Sequence, residues 1–316
     1  MKKLGFGMMR LPLLNEEDKK SIDKKTVCQM VDTFMERGFT YFDTAYMYHE
    51  YESERAMKDV LVTRKDRDSY TLASKLPVMQ LKEKEDMERI FNEQREKCGV
   101  EYFDYYLLHA LDAEHYKTVK RLDCFGFAMQ KKAEGKVKHV GFSFHDSAEV
   151  LDQILTEHPE AEFVQLQLNY LDWTFQSARE KYELLTSRGI PVWVMEPVRG
   201  GRLARLDAAG EKALRALNPR RSPSEWAFRF VQDLPNVHVV LSGMSDMAQL
   251  RENIKTFSEP QPLTGAEREA LLALAERMKN TVPCTACRYC VDGCPAGLDI
   301  PMLLAAYNAF RLSSSA

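Results

Sequence analysis

Apolar and β-branched residues gather in eight short runs, separated by stretches in which they recur every three or four positions. The runs are 4–9 (LGFGMM), 40–45 (TYFDTA), 70–75 (YTLASK), 103–109 (FDYYLLH), 138–144 (KHVGFSF), 163–169 (FVQLQLN), 191–196 (PVWVME) and 237–242 (VHVVLS). Short runs of this kind read as strands. Over 24–37, Val27, Met30, Val31, Phe34 and Met35 keep helical spacing, and Gly38 stands at the expected stop. Past Asp146 and Ser147, the residues Val150, Leu151, Ile154 and Leu155 share one helical face. Eight strands, each followed by a helix, predict an α/β chain folded as a (β/α)8 TIM barrel.

The pattern changes near the end of the chain. A further helix is expected at 264–280, opened by Thr264 and Glu267 in capping-box spacing. The stretch CTACRYCVDGCP follows at 284–295, then a helix around 300–312 with Asp299 at its N-cap and Pro301 in its first turn. The chain therefore divides into a barrel over 1–281 and a small cysteine-rich helical extension over 282–316. Cys284, Cys287 and Cys290 recur every third residue, so one turning segment can aim three thiolates at one point. Cys294 and Pro295 complete C-x2-C-x2-C-x3-C-P, the bacterial ferredoxin pattern for a [4Fe–4S] cluster. Structural zinc favours two separated C-x2-C pairs with a longer loop between them. Disulfides suit an oxidising compartment, and the opening MKKLGFGMMRLPLL has no uninterrupted apolar core of a signal peptide. Cys294 is the expected fourth ligand. Cys28, Cys98 and Cys124 lie in helical stretches and read as buried structural thiols.

Composition narrows the setting. A formal net charge of −3 over 316 residues leaves no basic footprint for nucleic acid. No apolar run approaches the length of a membrane span. Thiols and an iron–sulfur site together suit a reducing cytoplasm. Gly5-x-Gly7 is no dinucleotide fingerprint, because it lies within a strand and lacks the third glycine.

Barrels of this class carry their reactive groups where the strands end. Those ends hold Asp43, Lys75 and His109, and Tyr48 lies in the loop after Asp43. A tyrosine hydroxyl can donate a proton to a carbonyl oxygen that is becoming an alkoxide. A nearby lysine ammonium favours the phenolate, and an aspartate keeps that ammonium charged and in place. Histidine can hold the substrate carbonyl, but no side chain supplies a hydride, so a cofactor must. Each residue alone has a plainer reading, as a rim lysine or a satisfied polar group. Their placement on three successive strand ends is what joins them.

These segments resemble the aldo-keto reductases across nearly the whole barrel. FDTAYMY is similar to the Asp-Thr-Ala-x-x-Tyr signature, LASK to the lysine strand and DYYLLH to the histidine strand; VGFSF, VQLQLNY and SGMSDMAQLREN resemble the later cofactor-binding segments. With the cysteine run, the chain resembles the bacterial subgroup that carries a ferredoxin-like tail. The resemblance implies Asp43, Tyr48, Lys75 and His109 as a catalytic tetrad, and selects Tyr48 over Tyr46 and Tyr51. It implies Ser143 and Gln165 at the nicotinamide carboxamide. Met195 stands where a stacking tyrosine is common. Ser242, Gly243 and Ser245 are implied at a phosphate, and Glu252 and Asn253 on the adenine side. Gln249 replaces an arginine associated with the 2′-phosphate of NADP. The loop HEYESE after Tyr48 is two residues longer than usual, and Phe144 stands where an asparagine is common. His145, just past the fifth strand, is within reach of the pocket but reads first as a surface polar residue.

The implied function is reduction of an aldehyde or ketone to an alcohol by NADPH or NADH, with Tyr48 as proton donor, in a protein bearing a [4Fe–4S] cluster. The alternative is a nicotinamide-binding sensing or regulatory subunit that signals through the cluster. A small-molecule carbonyl is the expected partner, and the cluster leaves room for a redox partner protein.

Overall fold

The computed structural model describes residues 2–279, 282, 284 and 288–313. Eight parallel strands close in sequence order into a barrel. They are β1 (Leu4–Gly7), β2 (Tyr41–Asp43), β3 (Thr71–Leu76), β4 (Phe103–Leu111), β5 (Val137–Phe144), β6 (Phe163–Gln167), β7 (Val192–Met195) and β8 (Val237–Gly243). Every one falls within or across an expected run. β1 pairs with both β2 and β8, which shuts the ring and leaves no strand edge exposed.

Two apolar layers follow from the strand alternation. Tyr41, Ala73, Leu107, Phe163, Trp193, Val239 and Leu241 pack together as one cluster inside the barrel, with Tyr105 against them. The alternate positions, among them Phe42, Leu72, Tyr106, Leu108, Phe142 and Val164, face the surrounding helices. The interior is crowded enough that Gly141 has no room for a side chain: a Cβ there would lie 2.4 Å from the Phe163 carbonyl oxygen. Helix Lys24–Glu36 buries Val27, Met30, Val31 and Phe34 and is capped by the Asp23 side chain. Gly38 follows with φ +76°. Ser147 caps helix Ala148–Glu157, and Thr264 with Glu267 forms the expected capping box at Gly265–Met278.

Some of the local structure was not expected. The stretch after β4 is two helices, Ala113–Leu122 and Cys124–Ala133. Asp123 separates them with φ +60°, ending the first and capping the second through Gly126 N–H. Cys98 and Cys124 are buried, as read from their helical setting, whereas Cys28, read the same way, is only half-buried; burial pushes the Cys98 and Cys124 thiols up, Cys124 to about 12. The expected barrel boundary at 281 lies outside the described residues. Helix Ile300–Ser313 is present, with Asp299 accepting from Met302 N–H. No helix among the described residues is long and apolar enough to cross a membrane.

Candidate active site

The ends of β2, β3 and β4 bring the expected residues together. Lys75 is fully buried, and its Nζ donates to Asp43 Oδ1 at 2.6 Å and to the Thr44 carbonyl at 2.8 Å. The same Nζ lies 4.9 Å from the centre of the Tyr48 ring. His109 meets that ring edge-on, with centroids 6.0 Å apart. Burial holds the Asp43 carboxyl above the ordinary carboxylate range, with Lys75 pulling the other way. Burial, then the Lys75 charge, drives His109 well below the ordinary histidine range. His109 is therefore a neutral imidazole at neutral pH, suited to hydrogen bonding rather than to carrying charge.

The two rival tyrosines face elsewhere. Tyr46 donates its hydroxyl to Glu93 at 2.9 Å, and the Tyr51 hydroxyl accepts from Gln80 at 3.0 Å. The longer loop after Tyr48 makes a left-handed turn, with His49, Glu50 and Tyr51 at φ +50°, +51° and +74°. His49 pins it to the N-terminal segment by accepting from Leu11 N–H and donating toward the Lys19 carbonyl. Ser53 and Glu54 then return to the core. Glu54 accepts from Ser74 and Gln94, each at 2.8 Å, and Gln94 also donates to the Lys75 carbonyl at 2.9 Å. This buried network holds the end of β3, and with it Lys75, from behind.

Tyr48, His109 and Asp43 open onto a cavity of about 810 Å³ that continues toward the end of β8. Gln165, Met195, Ser242, Gly243, Ser245, Gln249, Glu252 and Asn253 all line it. Ser143 is buried and is not among the residues lining the cavity; its Oγ accepts from Ala110 N–H at 2.7 Å. Gln165 donates Nε2 toward the Met195 sulfur at 3.5 Å, while its buried Oε1 has no partner among the described residues. An orphaned amide acceptor of this kind fits the N–H of a carboxamide. Asn253 donates to Ser242 Oγ at 3.0 Å; Glu252 accepts from Ser222 and Ser224. Gln249 is committed locally, accepting from Ser245 N–H and donating to Asp246, the N-cap of helix Met247–Ser258.

Other residues were missed or read only in part. His145 is exposed, as its surface reading has it, and also lines the cavity mouth. It follows Phe144 directly, and its N–H donates to the Leu111 carbonyl, tying the ends of β4 and β5 together at the mouth. Arg10 and Glu196 form an ion pair at 3.9 Å on the cavity wall. No local motif marks that pair, since Arg10 follows β1 and Glu196 follows β7, far apart in the sequence.

The tail is less complete. Cys294 Sγ accepts from Leu298 N–H at 3.5 Å, and the backbone N–H groups around it lower its pKa, favouring the thiolate that binds metal. Among the described residues no three potential ligands converge on a metal position. Cys287 lies outside those residues, so the four-cysteine array rests on its spacing. Leu298, Leu303 and Tyr307 are 48 %, 46 % and 45 % exposed.

A profile of the Aldo/keto reductase family matches residues 3–275. Among solved structures, an aldo-keto reductase from Bacillus halodurans in its holo form is 23 % identical with a TM-score of 0.68, over 86 % of this chain and 91 % of that one. An aldo-keto reductase from Klebsiella pneumoniae in complex with NADPH is 18 % identical with a TM-score of 0.68, over 86 % and 90 %. No curated protein matches the chain.

Proposed function

Since the chain belongs to the aldo/keto reductase family, we propose that it reduces the carbonyl of an aldehyde or ketone to an alcohol with NADPH or NADH. The observation that carries this reading is the buried Lys75–Asp43 pair set beneath the Tyr48 ring, with His109 beside it. Tyr48 donates the proton to the carbonyl oxygen, and Lys75 stabilises the negative charge left on the phenolate. Asp43 keeps Lys75 charged and oriented. His109, neutral, holds the carbonyl oxygen by a hydrogen bond. When bound, a dihydronicotinamide would supply the hydride that the carbonyl carbon takes up. Gln165 and Ser143 would hold its carboxamide and Met195 would pack on its ring. Ser242, Gly243 and Ser245 would take the phosphates, and Gln249, Glu252 and Asn253 the adenosine end. The cofactor reading is supported by the orphaned Gln165 acceptor and by the NADPH bound in the Klebsiella pneumoniae structure.

We further propose that residues 282–316 form a separate tail holding a [4Fe–4S] cluster through Cys284, Cys287, Cys290 and Cys294. Its support is the ligand spacing and the thiolate-favouring backbone at Cys294. A chain of that length rarely folds without such a staple. The test of function is anaerobic purification followed by NADPH and NADH oxidation over a panel of aldehydes and ketones, with the alcohol product identified. Alcohol formed in step with nucleotide oxidation is expected. Tight nucleotide binding with no turnover of any carbonyl favours a sensing subunit instead.

A further inference from the structure

An extra residue in β4 sits beside the proposed reaction centre. β4 and β5 pair in register to Leu108–Phe142 and again at Leu111–Phe144, so three steps on β4 match two on β5. Ala110 takes up the surplus with φ +57°, a left-handed conformation that crowds any side chain against the backbone. Insertions of this kind re-aim side chains at barrel rims and next to active sites. Here the insertion separates His109, which faces the cavity, from Leu111, which is buried in the outer apolar layer.

Both backbone polar groups of Ala110 are held by side chains from other elements. Its N–H donates to Ser143 Oγ at 2.7 Å, and its carbonyl lies 2.6 Å from His115 Nδ1. A carbonyl can only accept, so the bond assigns a proton to Nδ1. His115 is fixed in turn. Asp112 Oδ1 accepts from His115 N–H at 2.7 Å while capping helix Ala113–Leu122, and Asp112 Oδ2 lies 3.3 Å from Nδ1.

We propose that His115 is a positioning residue for the reaction. It clamps the Ala110 carbonyl, and the clamped left-handed bulge sets where His109 meets the substrate carbonyl. This rests on the reductase reading of the cavity. A strained residue persists only where its surroundings over-determine it, and Ser143 supplies only one of the two restraints. Loss of the His115 donor lets the Ala110 peptide turn, and His109, one residue away, moves with it. His109 touches the substrate; His115 acts through the backbone.

Three substitutions separate this from a merely structural role. His115→Phe keeps a ring and removes the donor, His115→Asn keeps a donor at similar reach, and Ala110→Gly removes the steric cost of the left-handed conformation. His115→Phe should lower kcat for carbonyl reduction roughly tenfold, the factor by which that conformation is disfavoured for a residue with a Cβ. Nucleotide Kd should hold, and His115→Asn should retain most of the turnover. Adding Ala110→Gly to His115→Phe should restore most of the lost kcat. Crystal structures of the wild type and His115→Phe read the φ of Ala110 directly, and a shift out of the left-handed region is expected in the variant. Unchanged kcat in His115→Phe, no recovery on adding Ala110→Gly, or an unmoved Ala110 would each overturn the clamp. A wild type that reduces no carbonyl sinks the reductase reading, and the crystal comparison still decides whether His115 holds the bulge.

Discussion

At the scale of single residues, burial decides what each group can do. His109 is kept neutral by burial and by the Lys75 charge, whereas an unfolded histidine titrates near 6.5. The unfolded chain therefore binds more protons at low pH, so the stability linked to His109 is intact above about 6.5 and falls as pH drops below it. Urea midpoints measured between about pH 7.5 and 5.5 should show that fall, and His109→Gln should flatten it. Cofactor choice is also a residue-scale matter. Gln249 is tied to Ser245 and Asp246 and brings no charge. Gln249→Arg should shift the NADPH-to-NADH ratio of kcat/KM toward NADPH by roughly fivefold, about 1 kcal/mol, the scale of one added charge-assisted hydrogen bond. An unchanged ratio places selectivity elsewhere on the cavity wall. Asp43, Lys75 and His109 were legible in the sequence because strand ends are fixed by the apolar runs before them. Tyr48 needed the family resemblance, since three tyrosines lie within reach of the loop. The role of Ala110 was not legible, because a left-handed alanine leaves no mark in composition or spacing.

At the scale of elements, the strands were readable and their joins were not. A parallel strand buried on both faces shows as a short, largely apolar run, and each of the eight strands lies within or across such a run. The break at Asp123 depends on one residue turning left-handed between two helices, which no periodicity announces. Close contact between neighbouring strands has a measurable consequence. A Cβ at position 141 would lie 2.4 Å from the Phe163 carbonyl oxygen, a backbone atom with little freedom to yield. Gly141→Ala should therefore cost about 2 kcal/mol, within the range for overpacking a core. It should also weaken nucleotide binding, because Ser143 and Gln165 are paired in the same β5–β6 register. Urea unfolding and a nucleotide titration of that variant test both effects; wild-type stability would show that the strands part easily.

At the scale of the whole molecule, a barrel of known chemistry carries a tail whose spacing points to iron and sulfur. Its apolar residues Leu298, Leu303 and Tyr307 stand exposed, and Met302 does as well at 60 %. Apolar spacing marks a helical face but cannot say whether that face finds a partner. With these side chains exposed, the proposed cluster would carry the larger share in holding the tail together. Anaerobically prepared protein should contain about four iron and four sulfide per chain. Cys290→Ala should lose them and become protease-sensitive beyond the barrel, while the barrel remains folded. A metal-free wild type with an ordered tail contradicts the cluster assignment. Carbonyl reduction in this barrel turns on one hydroxyl, that of Tyr48. Dihydronicotinamide oxidation at saturating carbonyl, compared between the wild type and Tyr48→Phe, measures it most directly. Turnover should fall by roughly 10² to 10⁴ in the variant, the range for loss of a positioned proton donor, with nucleotide Kd unchanged. A Tyr48→Phe protein that turns over at the wild-type rate would contradict the account.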